Sequence, residues 1–155
     1  MRRLAQNAFQ PRRTRAGNVM VEFAIAFSVL FSVFAGTFQF GWTFYQYDVL
    51  ASAVDHGARY ASLRPYDAPT ATPSRAFLTA VQNMVVYGDP AGGSRPVVRG
   101  LTPAKVNLAV TFTNGIPSAV TVCVSGYTIN SVFSQVTLPN KPKVTYAYQG
   151  IYSPF

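Results

Sequence analysis

Acidic residues are nearly missing from this sequence: Asp and Glu together number 5 of 155 residues, against 13 Lys and Arg, and charged residues of both signs make up only 12%. Ordinary soluble domains carry about 25%, so part of the chain does not face water. Histidine and cysteine occur once each. A lone Cys123 allows no intrachain disulfide and no multi-cysteine metal site; within an alternating strand pattern it reads as a small buried hydrophobe. His56, between Asp55 and Gly57, has no nucleophile motif to serve, so an exposed or capping place is expected rather than a catalytic base. With so few acids, bases and thiols no active site assembles, and the chain is expected to be no enzyme and to need no cofactor and no metal. The string G-D-P-A-G-G-S-R-P from Gly88 lacks the G-K-[ST] ending and the preceding strand of a phosphate-binding loop. It reads as a turn-rich connector.

The net charge of +8 invites a nucleic-acid reading that its distribution argues against. Arg2, Arg3, Arg12, Arg13 and Arg15 stand together, with no acid among them, ahead of a long apolar run. Removing these five of the thirteen basic residues brings the balance from +8 to +3. Basic residues just before a membrane span stay cytoplasmic and orient the span behind them, so the basicity encodes topology and no nucleic-acid partner is expected.

From Asn18 to Tyr47 the single charged residue is Glu22. At about 1.5 Å per residue this run exceeds the roughly 20 residues that cross a bilayer core, and it is longer than the apolar core of about 7–15 residues in a cleavable secretory signal. On a helical wheel Phe23, Phe27, Phe31, Phe34, Phe38 and Tyr45 fall on one stripe. Beside it Ala24, Ser28, Ser32 and Ala35 form a stripe of small residues, the pattern that lets helix backbones approach closely in lipid. A plain anchor, in which aromatic and small residues are merely common, is the blander reading. Trp42, Tyr45 and Tyr47 close the run, where amphipathic rings favour the membrane boundary.

The helix is predicted to continue beyond that boundary. Leu50, Val54, Ala58 and Ala61 keep an apolar face while Asp48, Ser52, Asp55 and Arg59 mark a polar one, until Pro65 ends it. Thr72 as N-cap and Pro73 as first residue predict a second helix, with Phe77, Ala80, Val81, Met84 and Val85 buried and Gly88 as its stop. Residues 88–103 read as a surface loop. Three strands are predicted: K-V-N-L-A-V-T-F with Val106, Leu108, Val110 and Phe112 on one face; V-T-V-C-V-S-G-Y after a turn at Asn114 and Gly115; and P-K-V-T-Y-A-Y with Val144, Tyr146 and Tyr148 aligned. The expected fold is α+β: a long N-terminal transmembrane and amphipathic helix, a second short helix and a small antiparallel β-sheet.

The informative junction is R-A-G-N-V-M-V-E-F-A, from Arg15 to Ala24, where Gly17 parts a basic leader from an apolar helix and Glu22 is the fifth residue after it. It resembles the signal of type IV prepilins, which a membrane-embedded prepilin peptidase cuts after the glycine. By that resemblance Asn18 becomes the mature N-terminus and Glu22 the acidic fifth residue. A carboxylate inside hydrocarbon costs about 2.5–3.5 kcal/mol on insertion scales, so its place one turn from a freed α-ammonium suggests pairing of opposite charges, between neighbouring subunits for instance. The alternative is a carboxylate neutralised or hydrated at the interface.

V-E-F-A-I-A-F, F-Q-F-G-W-T-F-Y at the helix exit, and H-G-A-R-Y-A-S around Gly57, Ala58, Arg59 and Tyr60 resemble the TadE-like family over about residues 15–62. The C-terminal half agrees only in being strand-rich. Phe23 follows the glutamate where Flp major pilins usually have tyrosine, and Cys123 stands alone where a pair would have stabilised a periplasmic domain. The resemblance implies a minor pilin-like subunit in Tad/Flp pilus assembly, for adherence or secretion. It further implies a leader over residues 1–17, a helix over 18–64 that spans the inner membrane at about 19–45, and a periplasmic domain over 65–155. Its partners would be inner-membrane lipid, the prepilin peptidase, other pilin or pseudopilin subunits and the assembly platform, with Arg59 and Tyr60 as contact residues. The rival is an uncleaved, signal-anchored envelope protein with a small periplasmic binding domain.

Overall fold

The computed structural model describes residues 15–131 and 133–154; the leader arginines Arg2, Arg3, Arg12 and Arg13 lie outside the described residues. Two helices and five strands follow in the order α1 (Arg15–Leu63), α2 (Arg75–Tyr87), β1 (Val106–Thr113), β2 (Ile116–Val124), β3 (Tyr127–Asn130), β4 (Gln135–Leu138) and β5 (Lys143–Ala147). The fold is α+β, as the sequence predicts. Its contacts divide the chain after Phe38: the segment up to Phe38 is one unit, and Gln39–Phe155 is the other.

In the second unit, the outer part of α1 is the spine of the core. Leu50, Val54, Ala58 and Ala61 are all fully buried, and they form the apolar face that the 3.6-residue period marks out. They pack with Phe77, Val81 and Val85 of α2, Val106 and Val110 of β1, and Val120, Val122 and Val124 of β2. Burial of each such side chain contributes about 1.5–3 kcal/mol, so tertiary packing rather than propensity holds this part of the helix.

Helix α2 starts later than its proline suggests. Ser74 is the N-cap, its hydroxyl accepting from Phe77 N while donating to the Asp67 carboxylate at 2.9 Å. Thr72 is exposed, and Pro73 precedes the cap rather than opening the helix. A serine that satisfies both an orphan N–H and a nearby acid outcompetes a threonine that satisfies one. The buried face holds Phe77, Ala80, Val81, Val85 and Val86; Met84 is only half-buried, and Val86 replaces it because it faces the loop, where Val97 N donates to its carbonyl at 2.7 Å. Gly88 closes the helix at φ 74°, its N–H bonded to Met84 O, a left-handed geometry that favours glycine.

The sheet runs β1-β2-β5, all antiparallel. Asn114 and Gly115, both at positive φ, make the two-residue β1–β2 turn that matches strand twist. Val106 and Val110 of β1 are buried, with Leu108 and Phe112 half-buried beside them. Three expectations need correction. The predicted second strand breaks at Ser125–Gly126, where Gly126 takes φ 65°, and its tail becomes β3, paired with β4 in a separate hairpin. Residues 88–103 are not all surface, since Val98 and Leu101 are buried in the core. Cys123 is half-buried rather than buried, because β2 turns Val122 and Val124 inward and it must then point the other way.

The chain end locks the corner after α1. Gln149 N donates to Ser62 O, Tyr66 N to Ile151 O and Ser153 N to Tyr66 O, at 2.9, 2.9 and 3.0 Å. The Tyr66 ring is fully buried, edge-on to Phe77 and Phe112 at 5.2 and 5.8 Å, and its hydroxyl donates to Thr70 O at 2.7 Å. Burial first, then Asp67, pushes its pKa from 10.0 up to about 12. The folded state therefore holds this proton more tightly than the unfolded chain, so the contribution is complete below pH 10 and is lost as pH rises through 12. Denaturant midpoints of the full chain in detergent should fall across that window, less steeply in Tyr66→Phe. Equal slopes would show that other tyrosines carry the effect.

Between the helices the approach is closest at Gly57: a Cβ built there would lie 2.1 Å from Val85 Cγ2. Gly57→Ala is thus expected to destabilise by about 1–3 kcal/mol, the cost of overpacking. Val85→Ala in the same chain should recover part of that loss, and additive effects in a double-mutant cycle would refute the contact.

Candidate membrane and assembly surface

From Gly17 onward α1 is long and apolar enough to cross a membrane, and its most apolar stretch is not buried anywhere in the molecule. Val19 through Phe34 are exposed without a break. An isolated helix with such a surface is stable only where hydrocarbon or other helices replace water, while its own backbone bonds stay satisfied internally.

The two predicted stripes lie on this helix with different local chemistry. Phe23, Phe27 and Phe31 stack in sequence, with centroids 6.0 and 5.9 Å apart and planes at 25° and 21°. Phe34 and Phe38 are exposed on the same stripe without joining that stack. In the neighbouring stripe, the Ser28 hydroxyl donates to Ala24 O and the Ser32 hydroxyl to Ser28 O, each at 2.8 Å. Thr37 and Thr43 bond back to Val33 and Gln39 in the same way. Each hydroxyl is therefore satisfied inside its own helix. The stripe of Ala24, Ser28, Ser32 and Ala35 offers a shallow surface with no polar demand on lipid or on a neighbour.

Gly17, Asn18 and Glu22 are exposed at the head of the helix. Among the described residues α1 is helical from Arg15, so the Gly17–Asn18 bond lies within helix. A Cβ at Gly17 would meet nothing within 4 Å; no packing in this chain requires glycine there. Its effect is local, since glycine weakens a helix by about 1 kcal/mol relative to alanine. Asn18 and Glu22 are one turn apart, which places them on the same face.

At the far end, the segment H-G-A-R-Y-A-S divides by role. Gly57 and Ala58 are buried against α2, Arg59 is exposed, and Tyr60 is half-buried. Tyr60 receives a hydrogen bond from the Arg64 guanidinium, which also lies over its ring at 5.7 Å. Tyr60, Arg64 and Arg75 line one open cavity of about 700 Å³, which Arg59 does not join. His56 is exposed. Asp55 accepts from the Tyr146 hydroxyl at 2.8 Å, and that bond raises the tyrosine's pKa; the contact ties β5 to α1.

Sequence reasoning missed Gln39 and Gln46. The Gln39 amide accepts from Phe133 N at 3.1 Å and donates to the Ser134 hydroxyl at 2.8 Å, and Gln46 donates to Asn130 O at 3.4 Å. An amide inside F-Q-F-G-W needs a partner wherever water is scarce, a signal that was present in the string. The hairpin that supplies the partner was not visible.

Residues 17–59 match the family model described as TadE-like protein. The resemblance carried by V-E-F-A and G-A-R-Y-A thus holds over a segment that runs from the glycine of the junction to Arg59. No curated protein and no solved structure matches the chain. The segment contains both stripes and Gly57, the α1 side of the approach to Val85, but neither α2 nor the sheet.

Widening the small stripe with Ser28→Leu and Ser32→Leu should leave insertion intact, since leucine favours the membrane, while photocrosslinking from Ala35 to neighbouring helices drops several-fold. Undiminished crosslinking would remove the stripe from any packing role.

Proposed function

We propose that this chain is a minor pilin-like subunit, a pseudopilin, for Tad/Flp pilus assembly, made as a precursor and held in the inner membrane by α1 with its folded domain in the periplasm. The observation that carries the reading is the order of features along one helix. A glycine at the head of the apolar run, an acid five residues on, a lipid-facing run with paired aromatic and small stripes, and most of a core-forming outer half fall within the TadE-like match. Association is the mechanism. The prepilin peptidase would release Asn18, whose new ammonium answers the Glu22 carboxylate, and the stripes would pack against other pilin-like subunits or the assembly platform. Arg59, exposed, and Tyr60, beside Arg64, are the proposed periplasmic contacts.

Opposite charges brought together out of water attract far more strongly than in water, which offsets the cost of carrying a carboxylate into lipid. Between subunits, the same attraction would set one helix at a defined height against the next.

Mass spectrometry of membrane fractions is expected to find a chain beginning at Asn18 when the peptidase is present. Gly17→Leu should block that maturation, and Glu22→Leu should mature normally yet reduce pilus assembly about tenfold or more, as expected for losing a charge interaction of at least about 1.4 kcal/mol. An intact N-terminus in every membrane fraction, with Gly17→Leu indistinguishable from the natural chain, would favour an uncleaved anchor with a periplasmic binding domain.

A further inference from the structure

The β3–β4 hairpin runs along the outside of α1 between Gln46 and Gln39. Its first strand ends at Asn130, bound by Gln46, and its tip is held at Phe133 and Ser134 by both ends of the Gln39 amide. Gln46 and Gln39 are seven residues apart, so the hairpin descends about 10 Å along the helix axis. Trp42 and Tyr45 lie between those two anchors, their rings 6.0 Å apart. A hydrocarbon core takes roughly 20 helical residues; counted from Val19, the first apolar residue after the junction, it ends near Phe38. Gln39 and the hairpin tip then lie at the lipid edge, about 5 Å deeper than Trp42.

The surface at that level is apolar where a water-facing hairpin would be polar. Phe133 is 68% exposed at the tip, and on the helix Phe40 and Phe44 are 79% and 67% exposed. An apolar furrow of about 230 Å³ separates Phe40 and Phe44 from Val136 and Leu138 of β4. Charge points the same way. Beyond Asp89 the sequence holds no acid, while Arg95, Arg99, Lys105, Lys141 and Lys143 are all basic. Arg99 lines a cavity of about 660 Å³ together with Trp42, Tyr45 and Tyr127. A cation beside interfacial aromatic rings suits anionic lipid headgroups.

We propose that the β3–β4 hairpin is a second membrane-seated element: its tip inserts Phe133 into the headgroup boundary, and the Gln39 amide fixes its depth. This rests on α1 crossing the bilayer. The occupant of the exposed face is the lipid surface itself, because the tip is pinned to the stretch of helix that enters it. A free hairpin with an exposed phenylalanine would be an aggregation liability; one held at the lipid edge has its apolar side chain covered.

The natural chain has one tryptophan, so Trp42 reports the depth of α1 directly, and Trp42→Phe with Phe133→Trp moves the only indole to the tip. The full chain would be reconstituted in vesicles of mixed zwitterionic and anionic phospholipid brominated near the headgroup end of the acyl chain. The tip indole should be quenched by the brominated lipid at least half as strongly as Trp42 and be shielded from aqueous iodide. Adding Gln39→Ala should cut its lipid quenching several-fold, and Gln39→Ala in the otherwise natural chain should leave Trp42 as it was. Iodide access without lipid quenching at the tip, with Trp42 still quenched by lipid, would overturn the hairpin's seat and leave the span standing. Lipid quenching at neither position would overturn both.

Discussion

Between Phe38 and Leu50 the surface of α1 changes the company it requires, from hydrocarbon to protein, while its backbone hydrogen bonds run on from Arg15 to Leu63. Everything else in the molecule is arranged around that change. A helix satisfies its own N–H and C=O groups whatever surrounds it, so one element can serve both solvents if its side chains alone are exchanged. Below the change the side chains are phenylalanine, valine and small residues with their hydroxyls turned inward on the helix. Above it they are Leu50, Val54, Ala58 and Ala61, fully buried under α2 and the sheet. The stability of the folded unit and the anchoring of the chain thus draw on one continuous piece of backbone.

This sharing explains the composition of the segment H-G-A-R-Y-A-S better than any chemistry does. Helix α2 crosses so near that Val85 occupies the space a side chain at Gly57 would need, and Ala58 beside it is fully buried. Arg59 and Tyr60 follow on faces that α2 leaves open or half open. The family match ends at Arg59, at the point where the helix has made its approach to α2. In this chain the matched stretch holds the apolar run of α1 and its approach to α2, and the sheet and hairpin lie beyond it.

Much of this was legible because long periodic signals are redundant. The α1 surface repeats its message over more than ten turns, and the β1–β2 hairpin carries both alternation and an Asn-Gly turn. Short-range signals failed where two chemistries competed. Thr72-Pro73 has the form of a helix start, yet Ser74 makes two hydrogen bonds from one hydroxyl and wins the cap. Strands β3 and β4 have four residues each, and β4 is almost wholly exposed, so neither shows an alternation long enough to register. Cys123 was misplaced for a simpler reason: once β2 turns Val120, Val122 and Val124 inward, the pleat leaves an intervening residue no choice.

Glu22 and Gln39 both stand in the apolar run, and the difference between them is instructive. Gln39 is answered within the chain: a backbone N–H and a serine hydroxyl from the hairpin meet both ends of its amide. Glu22 stands exposed on its helix, and the charge proposed to answer it exists only after the chain is cut at Gly17. A neutral amide can be satisfied by folding alone, because its partners are backbone and hydroxyl groups that any loop can bring. A carboxylate in lipid needs a positive charge, and between Glu22 and Arg59 the helix carries none. The first kind of group fixes how the domain stands on its own helix. The second, on the reading proposed above, would be answered by the ammonium that maturation supplies, and that pairing would give the mature chain its reason to associate.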